Sequence, residues 1–121
     1  MLLRAATFLL LTAFSSSSLV LGQTLRINNF GPNNYKASPN NYSGIEATNG
    51  IWYFANENGV LEYDGSSWNL IPIDNYSSVH SLSQDPNNDH RIFVGGNNEF
   101  GYLEKDTSSL SYSYHSLRSQ I

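Results

Sequence analysis

The chain is 121 residues long, carries a formal net charge of −4 from six Lys and Arg against ten Asp and Glu, and is 40% hydrophobic with no cysteine. That length allows one small domain; the lack of cysteine excludes disulfide frameworks, thiolate zinc sites, iron–sulfur clusters and a cysteine nucleophile, and the acidic balance with few, scattered basic residues argues against a nucleic-acid surface. Eight Tyr, six Phe and two Trp in a chain only 13% charged mark a sequence built to pack, not a disordered tail.

Residues 1–22 read as an export signal: Arg4 supplies a positive start, residues 5–14 an apolar stretch, and Gly22, with Val20 two before it, a small-residue cleavage point. The four serines at 15–18 interrupt the apolar run, which is too short for an uncleaved membrane anchor. Residues 23–41 are polar and punctuated by Asn28-Asn29, Gly31-Pro32-Asn33-Asn34 and Ser38-Pro39-Asn40-Asn41, which predicts an irregular lead-in.

From residue 42 onward, short runs rich in Tyr, Phe, Trp, Val and Ile alternate with Gly, Asn, Asp and Pro, and no apolar 3.6-residue period persists. The expected strands are 42–48, 51–55, 60–63 and 68–73 in a first unit, residues 42–76, and 79–83, 91–94, 102–104 and 110–117 in a second, residues 77–121. Asn49-Gly50, Asn58-Gly59 and Asp64-Gly65 fall at joints where tight hairpins need positive φ.

The two units echo one another. Gly50-Ile51-Trp52-Tyr53-Phe54-Ala55-Asn56 followed by Gly59-Val60-Leu61-Glu62-Tyr63-Asp64 returns as His90-Arg91-Ile92-Phe93-Val94-Gly95-Gly96 followed by Gly101-Tyr102-Leu103-Glu104-Lys105-Asp106. The first half repeats at a spacing of 40 and the second at 42, which predicts a longer second loop, Asn97-Asn98-Glu99-Phe100, in place of Glu57-Asn58. A period near 40 residues with four strand-sized runs per unit is the pattern of β-propeller blades. The expected fold is therefore all-β: two four-stranded antiparallel blades of an incomplete β-propeller preceded by a signal peptide. A closed propeller needs at least four blades, so the chain is expected to be a truncated piece whose remaining blades belong to a parent chain.

At residues 53–68, Tyr-Phe-Ala-Asn-Glu-Asn-Gly-Val-Leu-Glu-Tyr-Asp-Gly-Ser-Ser-Trp, the sequence resembles the opening blade of the two-component regulator propeller proteins. Arg91-Ile92-Phe93-Val94-Gly95-Gly96 with Glu99-Phe100-Gly101-Tyr102-Leu103 is similar to their second blade, and Ile27-Asn28-Asn29-Phe30 with Tyr35-Lys36-Ala37 to the approach to the first. The resemblance covers roughly residues 27–104. Asn40-Asn41-Tyr42-Ser43 departs from it, carrying Tyr where members commonly carry Trp after Asn. The resemblance implies an exported, periplasmic ligand-sensing propeller, with a glycan or other small molecule as ligand and a kinase or DNA-binding output outside this chain. Two alternatives stand beside it: a secreted glycan- or protein-binding propeller without signalling, and a fragment of a propeller glycosidase or lyase.

No catalytic residue, cofactor or metal is expected, and the mature segment is not expected to insert into a membrane. Asp85-Pro86-Asn87-Asn88-Asp89 begins like a calcium loop, but His90 stands where that loop needs Gly and Gly96 where it needs Glu, so it reads as a turn. Gly95-Gly96 with Gly101 lacks the Lys and the following helix of a phosphate loop. His80, His90 and His115 lack metal-site spacing. Glu62 and Glu104 read as equivalent repeat positions, not as a catalytic pair. Trp52 and Trp68 are expected to fill space between blades. The ligand-binding candidates are the hairpin residues Asn56, Glu57, Asn58, Asn97, Asn98 and Glu99, since loops at one end of a propeller carry its variable polar groups. Asn41-Tyr42-Ser43 and Asn75-Tyr76-Ser77 match the glycosylation sequon, which has a meaning only in a host that glycosylates.

Overall fold

The structure is a computed structural model that describes residue 22, residues 24–108 and residues 112–121. The expected export signal lies outside the described residues except for Gly22. The lead-in contains one helical turn, α1 (Pro32–Tyr35), where the sequence predicts only turns. Pro32 pre-sets its first residue, Asn34 accepts the Gly31 N–H through Oδ1 at 2.8 Å, and Lys36 ends it with φ of 56°. The turn exists to place Tyr35, which is buried with its ring 5.4 Å from that of Trp68.

Eight strands follow: β1 (Asn41–Glu46), β2 (Trp52–Asn56), β3 (Gly59–Tyr63), β4 (Trp68–Ile71), β5 (Val79–Gln84), β6 (Arg91–Gly96), β7 (Glu99–Lys105) and β8 (Tyr112–Ser116). Among the described residues they form two four-stranded antiparallel sheets, β1-β2-β3-β4 and β5-β6-β7-β8, with each strand bonded only to its neighbour in the chain. The all-β, blade-like architecture expected from the strand pattern is thus present. Both sheets carry the same irregularity, a register shift between Asn41 and Ser43 in β1 and between Val79 and Ser81 in β5. The bulged residues are therefore Tyr42 and His80.

The sheets stack face to face. Tyr53, Ala55, Val60 and Ile71 of the first meet Val79, Ile92, Val94 and Leu103 of the second, and β5 lies closest to β1 and β2. Polar contacts at the seam include Ser43 Oγ donating to the His80 carbonyl at 3.4 Å and Asn49 Nδ2 donating to the Tyr112 hydroxyl at 3.3 Å. Within it, the buried Tyr53 hydroxyl donates to Glu62 at 2.9 Å, and burial, then Tyr112 and Glu62, hold that phenol well above the usual tyrosine range.

Three expectations are corrected here. The second hairpin has no longer loop: Gly96 pairs with Glu99 as Asn56 pairs with Gly59, so both turns are two residues, Glu57-Asn58 and Asn97-Asn98, and Glu99 and Phe100 belong to β7. Consequently Glu62 and Glu104 are not equivalent. Glu62 pairs with Tyr53 on the face between the sheets, whereas Glu104 pairs with Arg91, its carboxylate 3.3 Å from the guanidinium, on the far face of the second sheet. Trp52 and Trp68 do not fill the space between the sheets, because they alternate with Tyr53 and Asn69 and so project from the opposite face of the first sheet. There Trp52 stays 42% exposed and Trp68 packs on Tyr63, Phe54, Phe30 and Tyr35.

Candidate functional site

The register places the turns 57–58 and 97–98 and the connection from β4 to β5 at one end of the stacked sheets. All six residues singled out as ligand-binding candidates therefore lie at that end, where they separate into three environments.

Asn56, Glu57 and Asn58 face the lead-in. Asn56 is 0% exposed; its Nδ2 donates to the Ser38 carbonyl at 2.7 Å and to Asn41 Oδ1 at 2.8 Å, and its Oδ1 accepts the Asn58 N–H at 2.9 Å. Asn58 Oδ1 accepts the Ser38 N–H at 2.6 Å. Glu57 accepts from the Ser38 hydroxyl and from Asn40 Nδ2, and these donors hold its carboxyl below the usual range. The amides here work as a clasp between hairpin and lead-in.

Asn97 and Asn98 are exposed at the second turn, Asn98 in the left-handed region at φ of 55°. The Asn97 N–H donates to the Ser78 carbonyl at 2.9 Å, tying the turn to the β4–β5 connection.

Glu99 alone lines a cleft. This open depression of about 470 Å³ is bounded by Asp74, Asn75, Glu99, Ser116, Arg118 and Ser119. Two short 3-10 turns form its rim: Asp74–Tyr76, where Asn75 and Tyr76 have φ of 59° and 51°, and Arg118–Gln120 just after β8. Glu99 is only 5% exposed and accepts from the Tyr114 hydroxyl at 2.8 Å and from the Ser116 hydroxyl. Chiefly the Ser116 hydrogen bond, then Tyr114, the nearby Arg118 charge and the Phe100 N–H, hold its carboxyl below the usual range against the opposing effect of burial. The Tyr114 phenol is pushed well above the usual tyrosine range, first by burial and then by Glu99 and Asp74.

Sequence reasoning found Glu99 by placing it in a loop, and missed the other five cleft residues. Tyr114 and Ser116 stand 15 and 17 positions from it and become its partners only through the β7–β8 register. Asp74-Asn75 after Pro72 carried a turn signal that could have pointed to the rim.

Chemically the lining combines the Glu99 carboxylate, held by Tyr114 and Ser116, with Asp74 and Arg118, a set of polar and charged groups suited to holding a small polar molecule. A carboxylate held ionised is a poor general acid at neutral pH, and no histidine lines the cleft to serve as a base. Among the described residues, no group of three or more His, Asp or Glu stands together as a metal site, and no helix is long and apolar enough to cross a membrane. Asp85 sits in the β5–β6 turn, its Oδ1 accepting the Asn87 N–H at 2.9 Å and its carboxylate 4.0 Å from Arg91. His115 stacks on Tyr102 with ring centroids 5.0 Å apart, and His80 lies against Tyr42. No known protein family, curated protein or solved structure matches the chain.

Proposed function

We propose that the two sheets are the opening blades of an exported β-propeller that senses a small polar ligand for a two-component type regulator, the chain contributing no catalysis of its own. The observation that carries this reading is the repetition of one unit: two sheets of identical strand order, each with a bulge at the same place in its first strand, stacked on one another through one face of each. The family resemblance at residues 53–68 and 91–103 supplies the sensor role, and the export signal supplies the compartment. The cleft around Glu99 supplies a place for polar ligand groups at the end of the sheets where loops gather.

The experiment is to read the DNA beyond the codon for Ile121 and express the whole frame. Further sheet units of about 40 residues each, then a membrane helix and a signalling domain, are the expected result. Sheet units without a membrane helix favour a secreted binding module instead. A frame that stops at once overturns the sensor reading.

A further inference from the structure

We propose that the outward face of the second sheet seats a third sheet of the same parent chain, and that Ser81, Phe93, Gly95, Phe100 and Leu117 are the residues that receive it.

The argument starts from register. Counted from the bulge in each first strand, Ser43 pairs with Ala55 as Ser81 pairs with Gly95. Counted from the two-residue turns, Ala55 pairs with Val60 as Gly95 with Phe100, and Tyr53 with Glu62 as Phe93 with Tyr102. Leu117, whose N–H donates to the Phe100 carbonyl at 2.9 Å, stands beside Phe100 as Ile71 stands beside Val60. The five residues are therefore the counterparts of Ser43, Tyr53, Ala55, Val60 and Ile71, which lie on the side of the first sheet that the second sheet covers.

Burial separates the two sets. Tyr53, Ala55 and Val60 are fully buried, whereas Phe93 is 38% and Phe100 39% exposed. The five counterparts line one groove of about 410 Å³ whose walls are almost wholly apolar. Gly95 keeps that groove open, because a Cβ there would strike the Ser81 hydroxyl. An open apolar groove of this kind marks a place where another surface packs. The occupant follows from continuity with the seam inside the chain, where the equivalent side of the first sheet meets Val79, Ile92, Val94 and Leu103. It is a sheet whose first strand carries an aliphatic residue just before its bulge, as Val79 precedes His80, and whose second strand carries aliphatic residues two apart, as Ile92 and Val94 are. Ser43 Oγ donates to the carbonyl of the bulged His80 at 3.4 Å, and by repetition Ser81 Oγ donates to the carbonyl of the third sheet's bulged residue. The first sheet offers no such open groove over β3 and β4, since the lead-in lies there: the Phe30 ring is 5.1 Å from that of Tyr63 and 5.4 Å from that of Trp68, and Leu61 is 1% exposed.

The inference rests on the reading that further sheet units follow, and not on the sensor role. Its test uses the whole reading frame carrying Phe93→Cys or, as a control in the exposed β5–β6 turn of the same sheet, Asp89→Cys. Each protein is treated with a maleimide, and the labelled peptide is followed by mass spectrometry. Phe93→Cys is expected to react at least about tenfold more slowly than Asp89→Cys in native buffer and to match it in urea. Equal rates in native buffer overturn the proposal, even where sheet units and a signalling domain are both present. Slow labelling in a frame without a signalling domain keeps the seat and removes the sensor role. Replacing the aliphatic residue before the third bulge by Asp is expected to raise the Phe93→Cys rate to that of Asp89→Cys; an unchanged rate overturns the proposal. If a variant misfolds, the downstream sequence still decides: aliphatic residues at the stated positions are expected, and charged residues there, or a frame that stops at once, overturn it.

Discussion

Asn56 shows how much one polar side chain can hold when it has no exposure to water. Both hydrogens of its amide and its oxygen are used, joining β2 to Ser38, Asn41 and Asn58. Asn56→Ala takes away the partner of the Ser38 carbonyl, of Asn41 Oδ1 and of the Asn58 N–H, all on exposed or half-buried residues, and is expected to cost about 1 kcal/mol, read as a lower denaturation midpoint. Asn56→Asp is expected to cost more near neutral pH, because its carboxylate faces the Ser38 carbonyl and Asn41 Oδ1. Glu99 behaves differently with pH. Its carboxyl is held below its ordinary value of 4.5, so the stability it contributes is present above that value and is lost as pH falls through the lower folded value. The gap in melting temperature between the unaltered chain and Glu99→Gln should therefore be widest near neutrality and narrow below pH 4.5. A gap that stays constant down to strong acid would remove Glu99 as the titrating group.

At the scale of the strand pair, the two glycines that align most naturally in the sequence, Gly59 and Gly101, are glycines for unrelated reasons. Gly59 follows the first turn at φ of 145°, where a Cβ would lie 2.5 Å from the Ile71 carbonyl oxygen. Gly101 lies within β7, and its Cβ would meet the His115 carbonyl oxygen of β8 at 2.1 Å. Alanine at either position forces backbone apart, and each is expected to destabilise by roughly 1–3 kcal/mol, measured by urea unfolding. The coincidence explains where sequence reasoning slipped. Matching Gly59 to Gly101 offset the third strands by two residues, invented a longer loop and made Glu62 and Glu104 equivalents. The strand cores, the hairpin joints and the two-unit repeat were legible, because apolar alternation and turn residues are local signals. The cleft was not, because Glu99 meets Tyr114 and Ser116 only through a register that no local pattern encodes. Nor was the facing of Trp52, since a strand apolar on both sides does not say which side is covered first.

Over the whole molecule, the two sheets share one buried core, so they are expected to unfold together. Both tryptophans lie in the first sheet, whereas Leu103, fully buried, lies in the second. Leu103→Ala should cost about 3 kcal/mol and shift the tryptophan fluorescence transition by as much as the strand signal in circular dichroism. A tryptophan transition that does not move would show that the sheets melt as separate units.

Among the described residues, every strand bonds only to the strand before or after it in the chain. A protein wired in this way can gain or lose a complete sheet at its end without any strand being threaded between two others. Duplication of one stretch of gene therefore yields a product that adds to the stack without rebuilding it, and the number of units becomes a quantity that recombination can change in single steps. The matching bulges at Tyr42 and His80 are what a copied stretch would leave behind, a local irregularity carried over with the segment that contained it.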